Sequence, residues 1–166
     1  MRTRLLAVRS AFVTIPAVED WVKDHNETKF RYKFLVLSGE SGLGKTQFCV
    51  GLVPRGRALE LNMAATEDPD LRAYDHAEHD LILFDEMAAR CILKHKKLFQ
   101  APPVAIGMAN SATNCHAFRV WVHQKLLVVS TNRWDFELHT MPYCDKEWLE
   151  CNSVVVRVTR PLWVTE

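Results

Sequence analysis

Apolar residues fall along this chain in short blocks separated by charged or small polar residues. Phe34-Leu35-Val36-Leu37, Leu81-Ile82-Leu83-Phe84 and Leu126-Leu127-Val128-Val129 carry no polar alternation. Such runs suit strands covered on both faces, as in a parallel sheet. Strands are therefore predicted over 33–38, 57–61, 80–85, 126–129 and 153–158. Between them the spacing turns helical. Pro16 can open a first helix, with Ala17, Val18, Trp21 and Val22 as its apolar stripe. A short helix over 45–52 stops before Pro54. One helix over 86–99 turns Met87, Cys91, Leu93 and Leu98 inward and ends before Pro102 and Pro103, and a short amphipathic helix is predicted over 145–151. Residues 66–79 read as loop with a helical turn. Two apolar stretches, 104–106 and 117–122, flank a polar turn and predict a β-hairpin. Strands alternating with helices give an α/β, three-layer domain around a parallel sheet. We divide the chain into a lead-in (1–32), one domain (33–160) and a tail (161–166).

The first apolar run feeds directly into Gly39-Glu40-Ser41-Gly42-Leu43-Gly44-Lys45-Thr46. This octet fits the phosphate-loop pattern G-x-x-x-x-G-K-[ST]. The glycines let successive backbone N–H groups turn inward as a nest for phosphate oxygens, and the helix beginning at Lys45 aims its positive end there. Lys45 is expected to neutralise the β- and γ-phosphates, and the Thr46 hydroxyl to ligate Mg²⁺. ATP and Mg²⁺ are thus the expected ligands.

The second run ends in Asp85-Glu86. A parallel strand delivers its last residues to the carboxyl edge of the sheet, where the phosphate loop also lies. Asp85 is expected to hold Mg²⁺ there, and Glu86 to orient and deprotonate an attacking water. The third run continues into Ser130-Thr131-Asn132. The Asn132 amide can bond both a γ-phosphate and the lytic water without adding negative charge. Loop, acid pair and polar strand end, in that order, imply hydrolysis beyond binding.

That order, with a hairpin between the acid pair and Asn132, resembles the superfamily 3 helicase (AAA+-like) domain of replication-associated proteins of small circular single-stranded DNA viruses. Similar domains occur in RNA viruses. Residues 39–46 match motif A, 81–86 motif B and 128–132 motif C, while 103–122 occupy the place of motif B′. The resemblance covers roughly residues 33–158. It implies a P-loop NTPase fold of ASCE type, with a five-stranded parallel sheet and a β-hairpin inserted before motif C. It also implies a homo-oligomeric ring around single-stranded DNA or RNA, and an arginine finger after motif C. Arg157 is our first choice for that finger, with Arg133 and Arg160 behind it. Hairpin-tip residues Asn110, Ser111, Thr113 and Asn114, with His116 and Arg119, are the expected nucleic-acid contacts. The tip departs from the family in lacking charge, so counterion release and affinity per subunit are expected to be small. The 32 residues before the first core strand cannot hold the family's nicking endonuclease, so no nicking is expected. The chain then reads as a fragment or a domesticated remnant.

Composition narrows this modestly. The chain has 166 residues, 48% of them hydrophobic and 25% charged, with a net charge of +1. That is ordinary for a globular domain and provides no global field for a polyanion. Basic residues cluster at Lys94-His95-Lys96-Lys97, a pattern usual for a solvated helix face. Five cysteines without a C-x-x-C pair fit reduced thiols, and no apolar run approaches membrane-spanning length. A soluble, intracellular protein with no membrane partner is expected. The leading function is an ATP-hydrolysing helicase or translocase. The alternatives are an ATP-dependent oligomeric interaction module that has lost its nucleic-acid grip, and a small-molecule phosphotransferase.

Overall fold

The computed structural model describes residues 12–108 and 118–164. Helix α1 (Pro16–Asp24) precedes strand β1 (Phe34–Gly39), helix α2 (Lys45–Val50) and strand β2 (Ala58–Asn62). Strand β3 (Leu81–Asp85) leads into helices α3 (Ala89–Lys94) and α4 (Lys96–Phe99). Strands β4 (Ile106–Met108) and β5 (Phe118–Val120) come next, then β6 (Leu126–Thr131). Helices α5 (Trp134–His139) and α6 (Tyr143–Cys151) and strand β7 (Ser153–Val158) complete the order.

Five strands form one parallel sheet in the order β2-β3-β6-β1-β7. One strand, β6, therefore stands between the phosphate-loop strand β1 and the acid strand β3. This is the α/β P-loop NTPase architecture expected from the sequence. β4 and β5 pair antiparallel, with Ile106 opposite Val120 and Met108 opposite Phe118, so the inserted hairpin is present. Its tip lies outside the described residues, and with it Asn110, Ser111, Thr113, Asn114 and His116.

Alternation along the central strands builds two cores, one on each sheet face. Phe34, Val36, Ile82, Phe84, Leu127 and Val129 face one side, where they meet Ile92 of α3, Trp134 of α5, Leu149 of α6 and the hairpin's Met108 and Val120. Leu35, Leu37, Leu81, Leu83, Leu126 and Val128 face the other, against Val18 and Trp21 of α1 and Phe48 of α2. Three layers result because every residue of the central runs has a cover.

Local expectations were corrected in several places. The helix predicted over 86–99 is two short helices that begin only at Ala89, because Glu86 adopts a left-handed backbone (φ 58°) and His95 breaks the run (φ −124°, ψ 41°). Ile92 takes the inward place expected of Leu93, which is half-buried. In α1 the buried residues are Val18 and Trp21, and Ala17 is exposed. The stretch after Asn132 is helix α5, where no element was expected; its buried Trp134 and Leu138 stand four apart, one helical turn.

Candidate functional site

The phosphate loop leaves β1 at Gly39. A methyl group on Gly39 would collide with the Val158 carbonyl and approach the Val158 side chain at 3.1 Å. Glycine is thus required here by the close approach of β7. At the far end Gly44 has φ 83°, a left-handed conformation costly for any residue with a Cβ, and caps α2. Glu40 and Ser41 are exposed, and Leu43, Gly44 and Thr46 are half-buried.

Lys45 is buried at 8% exposure. Its Nζ donates to the Gly39 carbonyl and, at 3.5 Å, to the Thr131 carbonyl. The ammonium thereby joins the end of β1 to the end of β6. Burial pulls its pKa below the ordinary lysine value, while the negative charges of Asp85 and Glu86 push the other way. Lys45 also reaches the end of β6, the strand paired with β3, so the phosphate loop and the acid pair lie at one edge of the sheet. Asp85 is half-buried and Glu86 exposed.

Two hydrogen bonds set the neighbouring edge. The Glu86 amide donates to the Ser130 carbonyl at 2.8 Å, and the Arg133 amide donates to the Thr131 hydroxyl at 3.1 Å. The second closes a turn that presents Asn132, exposed, just beyond the sheet. Below the acid pair, the Glu137 carboxylate accepts the Ala89 amide at 2.8 Å and ties the start of α3 to α5. A cleft of about 820 Å³ opens beside this edge, with Glu86, Asn132, Arg133, Arg90 and Phe136 in its walls. The Arg133 guanidinium lies over the Phe136 ring at 5.6 Å.

The remaining sequence candidates lie further out. Arg157 is on β7, opposite Ser38, and its guanidinium grips Asp135 of α5 at 2.7 and 3.1 Å. Arg160 is exposed. Arg119 is exposed on β5 opposite Gly107. The basic cluster is largely engaged within the chain. Lys94 binds Glu67 at 2.8 Å, His95 meets Asp68 at 3.0 Å, and Lys96 lies over the Trp148 ring at 5.2 Å.

A hydroxyl and a carboxylate, Thr46 and Asp85, are hard oxygen donors of the kind Mg²⁺ takes, so the residues present fit that ion. One contact had no signature in the sequence. The indole of Trp163 packs against Gly44 from beyond the last strand.

No protein-family model matches the chain. No curated protein matches it either. Among solved structures it is similar to a protein of Streptococcus pyogenes serotype M3 provisionally described as a primosome component, with 13% sequence identity and a TM-score of 0.45. That match covers 88% of this chain and 78% of the other. A likeness at that level leaves the function to be read from the site itself.

Proposed function

We propose that this chain is an ATPase of the superfamily 3 helicase type, hydrolysing ATP to move along or unwind single-stranded DNA or RNA. The observation that supports it most is the buried Lys45 ammonium at the end of β6, on the sheet edge where β3 and β6 end in Asp85-Glu86 and Asn132. The phosphate loop and Lys45 hold the triphosphate. Glu86 takes the proton of the attacking water while Asn132 orients that water against the γ-phosphate. Thr46 and Asp85 would hold Mg²⁺, which would supply positive charge against the triphosphate. The cleft beside Glu86 gives a neighbouring subunit's arginine a way in. Arg157 is our choice for that finger, once it leaves Asp135. Closing and reopening of such an interface would carry the hairpin along the strand, with Arg119 and the tip residues as contacts.

The test is ATP turnover with and without single-stranded DNA or RNA, beside Glu86→Gln. Turnover should rise with polynucleotide, and the variant should bind ATP yet hydrolyse it slowly. No stimulation by any polynucleotide would count against translocation. One observation favours a second function, an ATP-dependent oligomeric interaction module: the hairpin tip, 110–114, holds no charged residue. ATP-dependent assembly without polynucleotide affinity would select it.

A further inference from the structure

The chain returns to the phosphate loop after β7. The buried Leu162 donates its amide to the Leu43 carbonyl at 2.9 Å, and its own carbonyl accepts the Val13 amide at 2.8 Å. Phe12 bridges to Trp163 in antiparallel fashion, and the Phe12 ring meets Phe48 of α2 edge-on at 5.9 Å. Both ends of the described chain are thus fastened at the loop. They hold the Trp163 indole over Gly44, where an added methyl would meet two ring carbons at 3.0 and 3.2 Å. Yet Trp163 remains 40% exposed. One part of the ring packs on the loop, and the rest leaves an aromatic surface open beside it.

The direction of a bound triphosphate follows from the strand order. Glu86 and Asn132 follow β3 and β6, on one flank of β1, and β7 lies on the other. A γ-phosphate turned toward Glu86 and Asn132 sends the nucleoside toward the β7 flank, where Trp163 emerges.

We propose that Trp163 is the stacking platform for the nucleobase of the bound nucleoside triphosphate. This rests on the nucleotide-binding function proposed above. Stacking on an indole uses the π-face that every base has, so the platform should accept adenine and guanine alike. The site then gains affinity from the base without reading its edge.

Binding of ATP, GTP and inorganic tripolyphosphate to the wild type, Trp163→Ala, Trp163→Leu, Trp163→Phe and Lys45→Ala tests this by calorimetry. Trp163→Ala and Trp163→Leu should weaken both nucleotides about ten-fold, within the range measured for base–aromatic stacking. Tripolyphosphate should bind them as it binds the wild type. Trp163→Phe should keep most of the affinity, and Lys45→Ala should lose all three ligands. Leucine preserves apolar packing on the loop, so it answers even where alanine fails to fold. Unchanged nucleotide affinity in Trp163→Leu would overturn the platform. So would an equal loss of ATP and tripolyphosphate, which would make Trp163 a brace for the loop. If the wild type bound neither nucleotide nor tripolyphosphate, the nucleotide-binding function would fall and the platform with it.

Discussion

The Glu86 amide donates to the Ser130 carbonyl at 2.8 Å, the bond that closes the last register pair of the parallel β3–β6 ladder, Asp85 with Ser130. The chain leaves the ladder at that rung, and Glu86 turns away from it in a left-handed conformation, φ 58°. A left-handed backbone costs a residue with a Cβ roughly 1–2 kcal/mol. The strain sits on the proposed general base.

Glu86→Gly should therefore raise stability by about 1 kcal/mol while abolishing hydrolysis. Glu86→Gln keeps the strain, so it should melt like the wild type and bind ATP with slow turnover. Thermal melts beside ATP turnover separate the two. A Glu86→Gly protein no more stable than Glu86→Gln would show that the rung costs nothing.

Two glycines of the loop should differ. Gly39→Ala drives a methyl into the Val158 carbonyl, whereas a methyl at Gly42 meets nothing within 4 Å and bears only its φ of 81°. The first should lose several kcal/mol, because β7 must part from β1, and the second about 1 kcal/mol. Urea titration of the two variants gives the comparison.

Lys45 is a buried charge held by two carbonyls. Replacing it with the similarly long Met removes the desolvation cost. Lys45→Met should be as stable as the wild type or more so by about 1 kcal/mol, while ATP affinity falls at least ten-fold. A large drop in melting temperature would instead make Lys45 a structural clasp.

His25 links stability to pH. Its ring is buried, stacks on Tyr32 at 4.8 Å and shares a 2.9 Å hydrogen bond with the Trp21 carbonyl, which fixes the proton on Nδ1. Nε2 is buried without a partner. Burial depresses the His25 pKa below 6.5. The unfolded chain then binds the extra proton first, so stability rises with pH up to about 6.5 and falls as pH drops below it. His25→Phe should flatten that slope in chemical denaturation between pH 5 and 7.

Arg157 spends its fork on Asp135 within the same chain, but the pair is exposed, with side chains 60% and 62% accessible. Such a pair contributes under about 1 kcal/mol. Asp135→Asn should thus barely move stability. If Arg157 serves a neighbour's site, Arg157→Ala mixed with Lys45→Ala should regain ATPase activity that neither has alone. No recovery at any ratio would remove Arg157 as the finger.

The three unalternated runs and the octet were legible because their signals are local: a strand covered on both faces must be apolar throughout, and a phosphate nest needs glycine at set positions. The break at Glu86 was not. Residues 86–99 carry a fair helical pattern, and what delays the helix until Ala89 is the left-handed turn at Glu86, where β3 leaves its pairing with another strand, β6. Helix α5 did leave a signal, in the spacing of Trp134 and Leu138. Trp163 against Gly44 left none, since nothing near residue 163 refers to residue 44.

The strand that carries the phosphate loop finds its partners late. Leu35 waits for Val128 on one side and for Val154 on the other, while β2 and β3 need only each other. Contacts across such separations form slowly, because the loop they close must lose its entropy first. As the chain leaves the ribosome, the β2–β3 pair can therefore form long before the nest has walls. The octet is written early and becomes a site only when residues 153–158 have emerged. A slowly translated or destabilised final strand would impair nucleotide binding as surely as damage to the octet itself.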